Sequence, residues 1–505
     1  MTNKVALLFI DGWGLASPGA GNAFSQAKTP TFDQLFEQYP SFALQASGQA
    51  VGLPENCPGG SQAGHQAIGT GQVMEMLSSR LQRDISTGEF WRRPVLAEAW
   101  QSAKDANKKV HLVGLLSDSV NHANLEILYS LIDSAKQFGY VNALYLHLFL
   151  DGQDTRMRSG QQLLEKVYVY LQNQGYGSIS TICGRRYAMS RGGQDDLTAK
   201  AVSLLTELKG QSAKSALQAV MDEYGRGRSD SDFEPTICDA NGAIGEGDTV
   251  IFFNHRPDRM RPLVTGMGDR LAKCYTAAVV PYADPWPYHS MYEAPVVEPN
   301  LCSVVTTAGQ KVTKITETDR YPHLTLFLNG GHEAPYYNEE RVFVDSRLVK
   351  ISAEQSLGEL SKQLKTRLRQ AAEDLVIVNV PNMDAAGHTG DIKLAQAAVE
   401  AVDQALADWL VAGADQWTFI ITADHGNVEY MLDPQTGESR PEDTASLVPC
   451  LCVASRLKGQ GNNSYEQLST QPAIGMLTDV TSTVMSELGV IQPPEISGVN
   501  LLEQT

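Results

Sequence analysis

The chain has 505 residues, 42% of them hydrophobic and 19% charged, and a formal net charge of −18 at pH 7. That length exceeds one ordinary core and predicts two domains, while the apolar content excludes a disordered chain. The acidic balance argues against nonspecific binding to nucleic acid or to an anionic membrane surface, since both need a basic footprint. Any anionic ligand has to be met by a local cluster of basic residues.

The seven cysteines (Cys57, Cys183, Cys238, Cys274, Cys302, Cys450 and Cys452) are scattered and odd in number, which is not a disulfide framework. The first apolar stretch, residues 5–10, has neither the length nor the cleavage chemistry of a signal peptide, and no apolar run spans a bilayer. A reduced, cytoplasmic protein is expected.

The opening KVALLFIDGWG is a strand pattern that ends in Asp11 before a glycine turn. Taken alone, Asp11 reads equally well as an Asx-turn. A helix is expected between Asn22 and Tyr39. Residues 51–71, VGLPENCPGGSQAGHQAIGTG, form a glycine-dense loop carrying Ser61 and His65. Glycines let backbone amides approach an anion, and a serine among them is a candidate nucleophile. The loop's length favours function over a plain surface connection.

From about Leu77 to Pro281 strands and helices alternate. Apolar runs at residues 110–116, 143–150, 179–183 and 250–253 each end in polar groups: Ser117-Asp118 with His122, Asp151-Gly-Gln153-Asp154, Arg185-Arg186 with Arg191, and Arg256-Pro-Asp-Arg259. Four strands that deliver Asp, His and Arg at their carboxyl ends predict a second α/β domain with its own ligand crevice. Arg185, Arg191, Arg256 and Arg259 suit a clamp on carboxylate or phosphate, or salt bridges to neighbouring acids.

Residues 282–309 read as a return linker, and 316–331 as a strand preceded by charge that includes Arg320. A strand at 374–379 leads into PNMDAAGHTG, where Asp384 and His388 stand one helical turn apart and could share a metal. The helix from Ile392 to about Val411 carries an ordinary core stripe. TFIITADHGN then repeats the opening pattern, with Asp424 and His425 just past a strand.

The ordered motifs IDGWG, VGLPE with GGSQAGH, GLLSD with His122, FLDGQDT, GRRYAMSR, FFNHRPDR, TET with FLNGG, MDAAGHTG and ITADHGN cover nearly the whole chain. In these the sequence resembles the cofactor-independent phosphoglycerate mutases of the alkaline phosphatase superfamily. The resemblance implies a two-domain α/β fold. Residues 1–76 and 310–505 would form a metal-binding, alkaline-phosphatase-like domain, and residues 77–309 an inserted phosphotransferase domain, with the active site in the cleft between them and hinges near Met76 and before Gly309. It implies one metal held by Asp11, Ser61, Asp424 and His425 and a second by Asp384, His388 and a ligand near residue 443, two manganese ions being the family's usual occupants. Ser61 would carry the phosphoryl group between the 3- and 2-hydroxyls of glycerate. The arginines would hold the substrate's carboxylate while His122 and Asp154 move protons. The expected partner is a small phosphorylated carboxylic acid, and the expected state a monomer without nucleic acid or membrane.

Several positions depart from the family pattern. Gln153 stands where the family has arginine, and Arg320 where it has lysine. Counting back from Val448-Pro449 puts Asp443 at a ligand position that is usually histidine, with Glu442 as the alternative. Gly60 and Gln62 replace Asn and Glu, and a family segment after about Lys350 is shortened. The expectation is a divergent phosphoglycerate mutase. The alternative is the same phosphoserine chemistry on another small phosphorylated or phosphonate acid, as mutase or metal-dependent phosphatase.

Overall fold

Residues Lys4–Ile10, KVALLFI, lack polar alternation, the pattern of a strand covered on both faces, and they form a strand in the interior of an eight-stranded sheet. The computed structural model describes residues 4–140, 143–190, 195–283, 285–294, 296–346, 353–461 and 463–504. The chain divides into two units, one made of Met1–Met76 with Pro295–Thr505 and the other of Leu77–Ala294.

In the first unit the sheet runs Glu339–Val344, Val312–Glu317, Leu375–Val380, Lys4–Ile10, Trp417–Thr422, Val448–Val453, Ser41–Gln45, Gly475–Met476. Its first five strands are parallel, and Val448–Val453 is antiparallel to both neighbours. Leu375–Val380, Lys4–Ile10 and Trp417–Thr422 therefore lie side by side with their carboxyl ends at one edge, where an open α/β sheet binds ligands. Asp11, Asp384 and the Asp424-His425 pair follow those three strand ends.

The second unit carries its own sheet, ordered His289–Ser290, Tyr275–Ala278, Thr249–Phe252, Val110–Leu116, Leu144–Leu150, Ser178–Gly184, Thr236–Ile237, Gln211–Ser212. The four runs expected as strands form its centre and are parallel. A buried polar chain crosses three of them: Asp248 Oδ2 lies 3.2 Å from His111 Nε2, His111 Nδ1 3.0 Å from His147 Nε2, and His147 Nδ1 2.8 Å from Thr181 Oγ1.

Four expectations are corrected. The glycine-dense stretch is no loop from Ser61 onward, because Ser61–Thr70 is an α-helix. Its glycines serve close packing: a Cβ on Gly64 would sit 2.2 Å from the Asp424 carbonyl oxygen, and one on Gly69 1.9 Å from that of Leu328. The helix expected between Asn22 and Tyr39 is two helices, Ala23–Gln26 and Pro30–Gln38, since Pro30 keeps Thr29 out of helical geometry. The strand expected within 316–331 ends at Glu317, and HLTLF, residues His323–Phe327, is a π-helical turn. The return linker belongs in part to the first unit, whose second segment begins at Pro295 and includes the capped helix Leu301–Thr307. Asn300 closes that helix with a capping box, a local signal that outweighs the proline-rich composition around it. Residues 347–352, where the shortened family segment begins, lie outside the described residues, as does Arg191. Among the described residues no helix is long and apolar enough to cross a membrane.

Candidate metal centre

Three adjacent strand ends, one helix start and the segment before Val448–Val453 supply the site in the first unit. Two groups of ligand atoms form there, Asp11 with Asp424 and His425, and Asp384 with His388 and Asp443; within each group the atoms lie within 4.8 Å of one another. Ser61, the first residue of its helix, sets Oγ 3.1 Å from His425 Nε2, which is itself 3.2 Å from Asp11 Oδ1 and 3.5 Å from Asp424 Oδ2. His388 Nε2 lies 3.2 Å from Asp384 Oδ1 and 3.6 Å from Asp443 Oδ1. Its Nδ1 donates to the Pro441 carbonyl at 2.7 Å, which orients the ring with Nε2 towards the two carboxylates.

The electrostatics are those of a site short of positive charge. Four carboxylates converge with one guanidinium, Arg320, whose Nη2 donates to Asp384 Oδ2 at 2.5 Å and whose Nη1 is 3.7 Å from Asp11 Oδ2. Burial, reinforced by Asp424 and Asp384, raises Asp11 above the ordinary carboxylate range despite Arg320. Burial also opposes ionisation of Asp384, but His388 and Arg320 hold it well below that range. At His425 burial disfavours the charged ring, and the surrounding Asp443, Asp424 and Asp11 still push it well above its usual value.

Asp11 Oδ1, Asp384 Oδ1 and both carboxylate oxygens of Asp424 are buried without a well-directed hydrogen bond among the described residues. Buried anionic oxygens left in that state are costly unless a cation completes them. Carboxylates with one imidazole per group and a nearby hydroxyl make a hard, oxygen-rich donor set that fits divalent cations of the manganese or magnesium type.

A model of the metalloenzyme superfamily matches residues 3–492. A 2,3-bisphosphoglycerate-independent phosphoglycerate mutase of Symbiobacterium thermophilum is 36% identical over 99% of this chain and 97% of its own length. One from a Synechococcus strain is 37% identical over 99% and 96%. The chain belongs to this mutase family. A solved Leishmania mexicana phosphoglycerate mutase, 24% identical, superposes with a TM-score of 0.89 over 99% of this chain and 98% of that one. That likeness shows the fold: an alkaline-phosphatase-like α/β domain whose two segments flank an inserted α/β domain. Family membership together with the donor set supports dependence on divalent metal.

Of the residues expected to grip substrate, Arg320 lies in the first unit, and His122, Gln153, Asp154, Arg185, Arg256 and Arg259 lie in the second, after the carboxyl ends of its strands. Arg185 Nη1 donates to both Asp151 Oδ1 and Asp154 Oδ2 at 2.5 Å. Arg256 forms a two-pronged pair with Asp258, at 2.7 and 3.1 Å, and Arg259 Nε is 3.7 Å from the same carboxylate. Arg256 and Arg185 thus have internal acid partners, as the salt-bridge reading of the sequence allowed. His122 is buried with Nε2 3.9 Å from Asp154 Oδ2; burial, then Arg256, hold its ring well below the usual value. Gln153 is half-buried, with its backbone N–H donating to Asp151 Oδ1 at 3.2 Å. Glu442, the alternative to Asp443, turns towards Arg440, 3.9 Å away.

Two residues beside the first ligand group received no role from the sequence: His65, named only as part of the glycine-dense stretch, and Asn379, passed over altogether. The signals were present: His65 is one helical turn beyond Ser61, and Asn379 is the one amide in the buried run LVIVNV.

Proposed function

We propose that this chain interconverts 3-phosphoglycerate and 2-phosphoglycerate through a phosphoserine on Ser61, with two Mn2+ ions as its resident metals. It is a metal-dependent phosphomutase, given the end-to-end similarity to the family. The observation that carries the reading is Ser61 itself: a hydroxyl at the first position of a ten-residue helix, 3.1 Å from His425, beside buried carboxylate oxygens without a well-directed hydrogen bond among the described residues. The alternative substrate classes are not favoured, because the mutase similarity spans 99% of the chain.

In this reading Asp11, Ser61, Asp424 and His425 hold one cation and Asp384, His388 and Asp443 the other. The bound cations supply positive charge against the phosphoryl oxygens and lower the cost of ionising a hydroxyl. Ser61 Oγ bonds to phosphorus as the bond from phosphorus to the glycerate oxygen breaks; the serine gives up its proton and the glycerate hydroxyl gains one. The same exchange at the neighbouring hydroxyl returns the phosphoryl group, so no water is consumed. The N-terminus of the Ser61–Thr70 helix favours an anionic group beside it. Arg320 balances the phosphoryl charge, and His122 and Asp154 exchange protons with the two hydroxyls. Arg185, Arg191, Arg256 and Arg259 hold the carboxylate, with Gln153 contributing a neutral contact. The chain acts as a monomer in the cytoplasm on this one small acid, a reading supported by its net charge of −18 and by its free cysteines.

The test is an assay of purified, manganese-loaded protein for interconversion of the two phosphoglycerates, with free phosphate measured alongside. Interconversion without phosphate release is expected, and Ser61→Ala should remove it while leaving the fold intact. Phosphate release in place of interconversion, or turnover surviving in Ser61→Ala, overturns the proposal.

A further inference from the structure

His65 and Asn379 are fully buried beside the first ligand group and have no part in the chemistry above. Asn379 is the cross-strand partner of Phe9, and His65 stacks on the Phe9 ring with centroids 4.6 Å apart and planes 12° apart. His323 meets the imidazole edge-on at 5.1 Å. The ring is thus fixed in place before any hydrogen bond is considered.

The hydrogen bonds then select one form of that ring. Asn379 Nδ2 lies 3.3 Å from Asp11 Oδ2 and 3.3 Å from His65 Nε2, while its Oδ1 accepts from Thr316 Oγ1 at 3.2 Å. Flipping the amide would set its oxygen against the Asp11 carboxylate, so Nδ2 is the group that faces both. His65 Nε2 therefore accepts, and the ring proton sits on Nδ1. That nitrogen is 2.9 Å from the Ser61 carbonyl oxygen and 3.0 Å from Asp424 Oδ2. One buried path runs from Thr316 through Asn379 to Asp11, and through His65 to Asp424 and the backbone of the nucleophile.

We propose that His65 and Asn379 are positioning residues which, through a single imidazole tautomer, hold Asp11, Asp424 and the Ser61 backbone in the geometry that receives the first cation. This rests on the metal reading given above. A ring carrying its proton on Nε2 would oppose the Asn379 amide and present a lone pair to two oxygens, loosening both carboxylates. Groups that orient a ligand in this way change metal affinity without touching the metal.

The test measures Mn2+ content and titrates Mn2+ binding by EPR in wild type, His65→Phe, His65→Gln and His65→Asn. Phenylalanine keeps the stack and removes both hydrogen bonds. A glutamine amide reaches the Nε2 position, and an asparagine amide matches Nδ1. Phe and Gln should weaken one of the two Mn2+ sites by about 10–100-fold and leave the other unchanged, while Asn stays close to wild type. The 15N resonances of His65 in the wild-type chain should report the Nδ1–H tautomer, a measurement independent of whether any variant folds. Two Mn2+ bound by His65→Phe at wild-type affinity, or an Nε2–H tautomer, overturns the positioning role alone. Failure of the wild-type chain to take up Mn2+ overturns the metal reading itself.

Discussion

Arg320 donates to Asp384 at 2.5 Å from a fully buried position, and the same guanidinium stands 3.7 Å from Asp11, so one cation joins the carboxylates of both ligand groups. Removing one partner of a buried ion pair leaves an uncompensated charge, at a cost of about 3–5 kcal/mol. Arg320→Met should therefore destabilise the metal-free chain by that order and the Mn2+-loaded chain by less, because the cations take over the neutralisation. Thermal melts with and without Mn2+ check this. Arg320→Lys, a compact point charge without the planar fork, should fall between the two.

Asp443 is the less anticipated member of the second group. Asp443→Ala should lower bound Mn2+ from two ions towards one, read by elemental analysis, with His388 and Asp384 left as an incomplete pair. Asp443→His should restore the second ion and move its preference towards zinc, since imidazole is the softer donor.

In the proposed function Gln153 is one of the residues that meet the substrate. Gln153→Arg adds one charge-assisted hydrogen bond to a carboxylate, worth about 1.5–3 kcal/mol if it forms. The expected outcome is a KM for phosphoglycerate lower by roughly ten-fold or more, with a smaller change in kcat. An unchanged KM would show that the internal acid partners absorb the added charge.

The histidines of the second unit predict a pH response. Burial pushes His111 below its ordinary value of 6.5 and His147 well below it, and takes His255 down to about 4. A histidine depressed in the folded state contributes stability that is complete above 6.5 and is lost as pH falls through the folded value. Each such ring withdraws up to roughly 1.4 kcal/mol per pH unit in that window. Asp230, raised to about 6 by burial, works in the opposite sense below pH 6. Amide exchange in Val110–Leu116 and Leu144–Leu150, corrected for intrinsic rate, should lose protection as pH falls from 6.5. His147→Gln should reduce that dependence and Asp230→Asn steepen it.

What could be read from the sequence was whatever a local pattern encodes. Lys4–Ile10 and Trp417–Thr422 are mostly apolar, strand-favouring runs followed within two residues by an acid, so both the strands and the ends carrying Asp11, Asp424 and His425 were visible. The helix Ser61–Thr70 was not, because four of the ten residues from Gly60 to Gly69 are glycine or serine and suggested a loop, whereas Gly64 and Gly69 are there for close contact with distant backbone. The pairing of Arg185 with Asp151 and Asp154 was equally hidden: it depends on how two parallel strands place their ends, which no spacing along the chain records. Asn379 shows the same limit, since a lone amide in an apolar strand becomes meaningful only when its neighbours across the sheet are known.

The approach of Gly64 to the Asp424 carbonyl, too close for any Cβ, has a practical consequence. How closely the Ser61–Thr70 helix approaches Asp424 is set by main chain lying on main chain, with no room at that contact for any side chain. A mutagenesis library aimed at new substrates can randomise Gln153, which belongs to neither ligand group, whereas one methyl group at residue 64 would force the helix off the sheet.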